Sequence, residues 1–418
     1  MAKRWQSPLL MWLSANFFVL FQFLLQLSCG VMLVPLKHSL HLSDVEVGAV
    51  VASFYLVYTV LQTPAGMMVD RFGSRRLLAG GGLVCAVGCL MFANAHTWSV
   101  AVVARVIMGM GASFAFVATL NVIERHFKPE RFALMVGLIE TVGMMGVMLT
   151  TVIGVHWLEL MSWRRLMLIA SVIALGLGGL NFLVIPPMDD QRRQLQLQLS
   201  YRAFFKIVGS LFKKPWVWYN GMYCGLMFSV VTAFAGLWVL PFLKITQNQS
   251  SMAIAAEDSM IYVGLAIGAP LMGFLYPRLK YRMIFLSAMA LLSACICAGI
   301  ILVPPSYWAG CVQFFVLGVL VSAYVLNFSY VNANVNPMVQ SSAVGLTNAL
   351  TVVTAPIFQT LIGALLPLFS GGKLLLTGSL GVIAYQKSLS VIPLGLVFAA
   401  IFAARIRLGR AHDGSIVH

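Results

Sequence analysis

Asp70, Arg105 and Glu140 of this 418-residue chain are charged side chains that lie in or beside long apolar runs. Each suggests a different chemistry. A carboxylate at the end of a helix can make an ion pair that exists in one conformation only, and a buried guanidinium can bind an anionic group. A carboxyl group in low-dielectric surroundings can hold a proton and release it when water reaches it. All three chemistries concern the control and movement of charge.

The elements that hold these residues follow from composition. The chain is 60% hydrophobic and 9% charged, against roughly 25% charged residues in soluble domains. Repeated apolar runs match the length of about 20 residues that a helix needs to cross a hydrocarbon core about 30 Å thick. Short alternating segments, which would indicate a β-barrel, are not the pattern here. The sequence therefore predicts an all-α membrane protein.

Apolar runs separated by polar turns predict twelve transmembrane helices. The predicted spans are 9–36, 45–69, 77–94, 98–123, 133–155, 165–186, 216–242, 255–276, 283–303, 307–330, 342–367 and 388–407. The longest polar interruption divides them six and six. We therefore predict an N-terminal six-helix bundle in 1–186, a cytoplasmic linker in 187–215 and a C-terminal six-helix bundle in 216–418.

The net charge of +15 follows the sides of the membrane. Most Lys and Arg residues fall in loops that share a side with both termini, which predicts that both termini are cytoplasmic. This distribution, rather than nucleic-acid binding, accounts for the basic charge. The seven cysteines all lie within apolar runs without ligand spacing, so neither a disulfide framework nor a metal site is expected. No cofactor is expected either.

The two halves of the chain share landmark residues at a fixed offset. The pairs, at offsets of 207 and 208, are Gly66 and Gly273, Asp70 and Pro277, Pro129 and Pro337, Gly137 and Gly345, and Glu140 and Asn348. Several matches in the same order predict two parallel six-helix repeats that form pseudo-symmetric bundles. Because Pro277 and Asn348 replace the two acids, the chemistry of Asp70 and Glu140 is expected on one side of the duplication only.

Two motifs resemble those of a known family. The segment from Gly66 to Arg76 resembles the loop signature between the second and third membrane helices of the major facilitator superfamily. The segment from Arg105 to Ala112 resembles that family's Arg-x3-Gly-x-Gly-Ala pattern. The resemblance implies a twelve-helix transporter, not an enzyme, that works by alternating access. Ser74 departs from a common family form, which has a basic residue at that position.

The resemblance also implies a role for Asp70 as a latch on the cytoplasmic side of the outward-facing state. Its partner could be the N-terminal dipole of another helix or one of Arg71, Arg75 and Arg76. Glu124, at the cytoplasmic end of the fourth span, is a candidate third member. The alternative is that these are solvated loop charges.

Arg105 and Glu140 lie inside spans. A mid-span guanidinium costs roughly 2.5–3.5 kcal/mol on insertion scales, so Arg105 is expected to face the bundle interior. It binds an anionic substrate group or a proton-coupled carboxylate, or it caps backbone carbonyls between packed helices. Glu140 is the candidate proton carrier, and its alternative is a hydrogen-bonded structural acid.

Amide and phenol side chains on several spans are candidates for the substrate cavity. Gln22 and Gln26 lie about one helical turn apart on the first span. Each such residue can also serve as a polar contact between helices. The full candidate set is Gln22, Gln26, Tyr58, Arg105, Tyr223, Tyr324, Asn327 and Asn348.

The sequence as a whole favours a secondary active transporter for a small polar organic solute, with proton-coupled uptake as the first hypothesis. Export of a metabolite or drug by proton antiport is the second. Drug efflux is less favoured because Gly143-Met144-Met145-Gly146 lacks the Gly-Pro pair of drug antiporters. A receptor that binds without transport is the third. The expected partners are the solute, protons and the lipid bilayer of a bacterial inner membrane, with the protein a monomer.

Overall fold

The structure, a computed structural model, describes residues 7–189, 194, 200–247, 249–370 and 378–412. The described residues are helical almost throughout, with no strand among them. The α-helices are α1 (Pro8–Val31), α2 (Leu33–Leu40), α3 (Asp44–Phe72), α4 (Ser74–Ala93), α5 (Trp98–His126), α6 (Pro129–Leu160), α7 (Trp163–Val184), α8 (Tyr201–Phe212), α9 (Pro215–Ser229), α10 (Val239–Thr246), α11 (Ser251–Leu275), α12 (Arg282–Leu302), α13 (Tyr307–Val321), α14 (Leu326–Asn334), α15 (Gln340–Ser370), α16 (Gly378–Leu389) and α17 (Val391–His412). A π-helix occupies Val230–Trp238, and short 3-10 turns occupy Tyr276–Arg278, Ser322–Val325 and Pro337–Val339.

Within the part of the chain that is described, eleven helical runs are long and apolar enough to cross a membrane. They coincide with eleven of the predicted spans. Helix α6, with 32 residues, occupies the place of the remaining one. The prediction of an all-α, twelve-helix membrane fold is confirmed.

The first and last predicted spans are each interrupted, for the same reason. Helix α1 ends at Val31 and α16 ends at Leu389. A proline follows each of these residues four positions later, Pro35 and Pro393. A proline ring clashes with the carbonyl four residues before it and offers no N–H to that carbonyl, which kinks or ends a helix. The proline then lies in the first turn of the next helix, where it is tolerated.

The seventh predicted span shows a related irregularity. It consists of α9, the π-helix Val230–Trp238 and α10. Pro241 lies in the first turn of α10, and the carbonyl four residues before it belongs to Leu237, at the end of the π-helix. The widened turn thus gives way to a new helix at this proline.

Contacts between residues group the chain into two units. Unit 1 contains Met1–Phe132, Val142–Gly209 and Asn334–Ala349, and unit 2 contains Ala133–Thr141, Ser210–Ala333 and Leu350–His418. Each unit therefore includes a short segment from the other half of the sequence. The predicted division at 1–186, 187–215 and 216–418 stays a prediction.

The duplication predicted from the sequence is present in helix packing. In unit 1, α3 packs on α5, α4 packs on α7, and α1 packs on α7. In unit 2, the helices that correspond to these by the sequence offset form the same pairs: α11 with α13, α12 with α17, and α9 with α17.

Close glycine contacts repeat in the same way. The pairs are Gly66 with Ser341 and Gly345 with Gln62 in unit 1, and Gly273 with Ala133 and Gly137 with Ala269 in unit 2. A Cβ on any of these glycines would overlap the partner's backbone. Each contact of unit 1 becomes the contact of unit 2 under the offsets of 207 and 208. Glycine is therefore required at these positions by the close approach of two helices.

Candidate functional site

The carboxylate of Asp70 is completely buried at the end of α3. Its Oδ1 accepts a hydrogen bond from the backbone N–H of Ser341 at 3.0 Å. Its Oδ2 accepts from the backbone N–H of Ser342 at 2.8 Å and from the Ser342 hydroxyl at 2.7 Å. These groups belong to the first turn of α15, where unpaired N–H groups and the helix dipole favour a negative charge.

Local sequence explains how α3 reaches α15. Gly66 lies about one helical turn before Asp70 on α3, and its missing side chain leaves room for the Ser341 backbone. Ahead of α15, the side chain of Asn336 accepts a hydrogen bond from the N–H of Met338 at 2.9 Å and so starts the 3-10 turn. The N–H groups that follow remain available to Asp70.

The arginines of the motif have other neighbours. The Arg75 guanidinium lies 4.1 Å from the centre of the Phe182 ring, and that of Arg71 lies 5.9 Å from the Phe204 ring. Arg76 is exposed. The hydrogen bonds that hold Asp70 come from Ser341 and Ser342 rather than from these arginines.

Glu124 and Arg75 line one cavity of about 500 Å³ in unit 1. Further lining comes from the start of α4, the end of α5 and residues 185–189. The structure therefore brings Glu124 together with Arg75, while Asp70 is held at the start of α15.

Ser74, the departure from the common family form, has a defined contact. Its hydroxyl donates to Asn121 Oδ1 at 2.7 Å, and Asn121 Nδ2 donates to the Ser341 hydroxyl at 3.0 Å. Ser341 in turn donates its N–H to Asp70. A chain of buried hydrogen bonds thus connects α4, α5 and α15 to the carboxylate. Ser341 and Ser342 were not among the predicted site residues. The repeat offset relates them to Ala133 and Leu134 at the start of the fifth predicted span, which carry no polar side chain.

Asn348, a cavity candidate, lies two turns further along α15. Its Nδ2 donates to Gln62 Oε1 of α3 at 2.8 Å. Gly345 packs on the Gln62 backbone one turn earlier. This amide pair is a buried contact between α3 and α15.

Glu140 is 5% exposed and belongs to unit 2. Its carboxyl group hydrogen-bonds with the hydroxyl of Tyr324. The next residue, Thr141, donates its hydroxyl to the Ala266 carbonyl of α11 at 2.6 Å. The structure therefore brings together two of the predicted site residues, Glu140 and Tyr324.

The repeat explains why Glu140 and Asn348 have different partners. Asn348 in unit 1 meets Gln62, whereas the residue of unit 2 that corresponds to Gln62 is Ala269. Because alanine offers no polar side chain, the Glu140 carboxyl bonds with Tyr324 instead. The α6–α11 contact therefore holds a titratable group, Glu140, whereas the corresponding α15–α3 contact holds the neutral Asn348.

Arg105 is completely buried in unit 1. Its Nη1 donates to the Leu25 carbonyl at 2.7 Å and its Nη2 to the Gln26 carbonyl at 3.3 Å. Its guanidinium carbon lies 4.6 Å from the centre of the Phe54 ring. These contacts correspond to the carbonyl-capping alternative, with a cation–π contact added.

Gln22 and Gln26 also meet on α1. Gln22 Nε2 donates to Gln26 Oε1 at 2.6 Å, and the Gln26 side chain also hydrogen-bonds with Tyr55. Arg105 binds the Gln26 carbonyl, so these polar groups form one cluster.

The remaining cavity candidates are buried among helices. Tyr223 donates its hydroxyl to the Leu286 carbonyl at 3.1 Å. The ring of Tyr58 stacks on Phe54 with 6.1 Å between ring centres, and Asn327 is completely buried. Their assignment to a substrate cavity stays a prediction.

Two acids that sequence analysis did not single out lie in α11. Glu257 and Asp258 are both buried, at 0% and 6% exposure. The available signal was a pair of adjacent acids within the apolar run of the eighth predicted span.

Comparison with known proteins places this architecture. A family model described as Major Facilitator Superfamily matches residues 12–359. The methyl viologen resistance protein SmvA of Salmonella typhimurium (strain LT2) is 30% identical over 215 residues, which is 50% of this chain and 40% of that protein. The probable L-galactonate transporter of Escherichia coli K12 is 26% identical over 151 residues, 36% of this chain and 33% of its own length. Both matches thus span less than half of the relative.

Solved structures match over almost the whole chain. The E. coli fucose:proton symporter FucP aligns with a TM-score of 0.70 at 15% identity, covering 96% of this chain and 99% of that chain. A bacterial homologue of the human lysosomal transporter Spinster aligns with a TM-score of 0.64 at 18% identity, covering 97% and 98%. At these identities the likeness concerns the fold. With the family model matching most of its length, this integral, multi-pass membrane protein belongs to the Major Facilitator Superfamily.

Proposed function

We propose that the protein is a secondary active transporter that takes up a small polar organic solute together with protons. The observation that carries the proton coupling is the Glu140 carboxyl, 5% exposed within a membrane-spanning helix and held by the Tyr324 hydroxyl. An acid in such a position is retained at a cost in insertion energy and marks ion or proton pathways in membrane proteins.

Alternating access needs contacts that exist in one state and break in the other. The hydrogen bonds of Asp70 with Ser341 and Ser342, called here the Asp70 contact, suit this role. They join residues 271 and 272 positions apart through a charge and a helix terminus. When α3 and α15 separate, water can replace the N–H donors. The Asp70 contact would therefore hold the cytoplasmic side closed in the outward-facing state.

The coupling step assigned to Glu140 is a reversible protonation. A proton from water on the outer side adds to a carboxylate oxygen, and the neutral acid keeps a hydrogen bond with the Tyr324 hydroxyl. The change of state then exposes the group to the cytoplasm, and the proton leaves to water there. Because neutralisation removes the cost of a buried charge, the occupied carrier can change state more readily than the ionised one.

The solute class rests on the relatives and on the polar side chains of the candidate cavity. Relatives are named for L-galactonate, galacturonate and riboflavin, all polar organic molecules. Amides and phenols such as Gln22, Tyr58 and Asn327 can hydrogen-bond hydroxyl and carboxylate groups. A sugar acid is therefore the first probe to use.

The test is galacturonate flux in proteoliposomes that contain the full chain. An outside-acidic pH gradient should drive accumulation by the unmodified protein. Glu140→Gln should lose accumulation and keep galacturonate exchange, because the amide preserves the shape but carries no exchangeable acid proton. Glu130→Gln, at an exposed acid in the first turn of the same helix, is the matched control. Accumulation by Glu140→Gln at the unmodified level would show that Glu140 is not the carrier.

Export by proton antiport is the second candidate, favoured by the 30% identity to a protein named for methyl viologen resistance. The sign of the pH gradient separates the two functions. With methyl viologen as the probe, an antiporter accumulates it inside proteoliposomes when the lumen is acidic. A symporter accumulates its solute when the outside is acidic.

A further inference from the structure

Helix α11 buries two adjacent carboxyl groups that the proposed transport step does not use. Glu257 is 0% exposed and Asp258 is 6% exposed. They lie about 9 Å along the helix from its first residue, Ser251, within a run that is apolar enough to span the membrane. Intramembrane acids require a partner, a proton or a wet cavity.

The hydrogen bonds at this pair are incomplete. Gln247 Nε2 donates to Glu257 Oε1 at 3.1 Å and also to the Pro305 carbonyl at 3.1 Å. Glu257 Oε2, Asp258 Oδ1 and Gln247 Oε1 are buried and have no hydrogen-bond partner among the described residues. All three are acceptors, and an ionised carboxylate has no hydrogen to donate. The site therefore lacks hydrogen-bond donors. A proton on a carboxyl oxygen would supply one.

The neighbouring helix is shaped to admit the acid. A Cβ built on Gly310 of α13 would overlap the Glu257 carboxyl group. Gly264 of α11 and Gly318 of α13 bring the same two helices into backbone contact further along. The carboxyl of Glu257 thus occupies the space that a side chain at position 310 would fill.

No cation among the described neighbours is placed to neutralise the pair. Tyr307 of α13 interacts electrostatically with Glu257 and contacts Cys311, and neither of these groups is a cation. Lys244 of α10 is exposed, and the π-helix Val230–Trp238 has no titratable side chain. The other described titratable groups on elements that pack against α11 lie towards its C-terminal half: Glu140 and Tyr324, which bond with each other, the exposed Glu130 and Arg131 at the start of α6, and Tyr276 and Arg278 of the turn that follows α11.

We propose that Glu257 and Asp258 form a second proton-binding site, separate from Glu140. A proton from water adds to an oxygen lone pair of one carboxylate, and the resulting O–H can donate to an acceptor that now lacks a partner. The pair then carries one negative charge instead of two, and deprotonation returns the proton to water. Its use in coupling rests on the proposed transport function, but proton binding itself can be measured without transport.

The test is infrared spectroscopy of the full chain in lipid nanodiscs, titrated with acid and base in H₂O and D₂O. The carbonyl stretch of a protonated carboxyl group is distinct from the bands of a carboxylate. We expect one such component at neutral pH that Asp258→Asn or Glu257→Gln removes or shifts. Glu140→Gln and the exposed-acid control Glu130→Gln should leave it in place.

Two glycine variants test the geometry without removing an acid. Gly310→Ala should displace the Glu257 carboxyl and shift the component. Gly299→Ala of α12 has open space around its Cβ position and should not. These variants keep the proposal testable if an acid variant does not fold.

Two results would overturn the site. One is that the spectra of Asp258→Asn and Glu257→Gln superimpose on the spectrum of the unmodified protein at every pH. The other is that the carbonyl component shifts when Na⁺ replaces choline at constant pH. The second would indicate a metal cation instead of a proton. Loss of accumulation in Glu140→Gln with no carboxyl component at Glu257 and Asp258 would reject this site alone. The reverse pattern would reject the role of Glu140 alone.

Discussion

Asp70 offers a direct test of the latch at the scale of one residue. Asp70→Asn keeps the size of the side chain but removes the charge that faces the start of α15. Hydrogen bonds to charged groups contribute about 1.5–3 kcal/mol each, so losing the charge should shift the balance between states by about tenfold or more. Thr347, completely buried on α15, provides a reporter position. We expect Thr347→Cys to react at least about tenfold faster with a maleimide in the Asp70→Asn background.

The labelling is done in a Cys295→Ser, Cys311→Ser background, because these are the native cysteines that are not buried. Glu130→Gln, at an exposed acid in the first turn of α6, is the control and should leave the rate unchanged. Equal rates in Asp70→Asn and the unmodified protein would remove the Asp70 contact from the transport mechanism.

Sequence analysis located the acids more readily than their partners. Asp70 and Glu140 stand out because a charge in an apolar run is rare. Ser342 carries a hydroxyl group of a kind common in membrane helices, so nothing in its spacing distinguished it. Tyr324 was predicted as a cavity residue but not as the partner of Glu140. For Arg105, composition left two roles open, and the carbonyls of α1 that it binds could be identified only once α1 and α5 were packed together.

At the scale of the helices, Gly66 controls how closely α3 can approach α15. Gly66→Ala would place a methyl group on the Ser341 backbone. Overpacking of this kind costs typically about 1–3 kcal/mol, and it should separate Asp70 from its N–H donors. We expect a lower unfolding temperature in detergent and faster labelling of Thr347→Cys, both measurable in the same preparations.

Gly80 of α4 supplies the control for helix propensity. Nothing lies within 4 Å of its Cβ position, so Gly80→Ala should be neutral or stabilise the helix by up to about 1 kcal/mol. If Gly66→Ala and Gly80→Ala behaved alike, close approach of α3 and α15 would not limit stability.

Helix ends show what local sequence can and cannot fix. Hydrophobic runs identified the spans, because membrane thickness sets a minimum length. They did not identify the breaks after Val31 and Leu389, where Pro35 and Pro393 remove a backbone donor without changing hydrophobicity. Apolar length identifies a span, but it does not show which proline ends a helix, since α3 continues through Pro64.

Across the whole molecule, duplication determines the framework and departures from it determine the chemistry. The glycine contacts obey the offsets in both units. Asp70 faces Ser341 and Ser342 in unit 1. In unit 2, Pro277 stands in the place of Asp70 and Ala133 in the place of Ser341, so no charged contact forms there. Symmetry could be predicted from one sequence because it leaves matching landmarks. The partners of the asymmetric residues could not, because they depend on which helices meet.

The orientation of the chain in the membrane is the last prediction. Helix α5 has 29 residues, a length of about 44 Å at 1.5 Å per residue, so its two ends must lie on opposite sides of a core about 30 Å thick. Its C-terminal end carries Arg125 and is followed by Lys128. Because basic loops stay in the cytoplasm, Thr97, just before α5, should be outside.

Cysteines introduced at the two exposed positions test this in intact cells with a membrane-impermeant maleimide. In a Cys295→Ser, Cys311→Ser background, which keeps only the buried native cysteines, Thr97→Cys should react at once and Lys128→Cys only after the cells are permeabilised. The pair shares one helix, so a folding defect would affect both positions and cannot imitate the pattern. The opposite pattern would place Asp70 on the outer side, because the turn after α3 lies on the same side as Lys128. The Asp70 contact would then close the outside of the transporter, and the expected effect of Asp70→Asn on access would change sign.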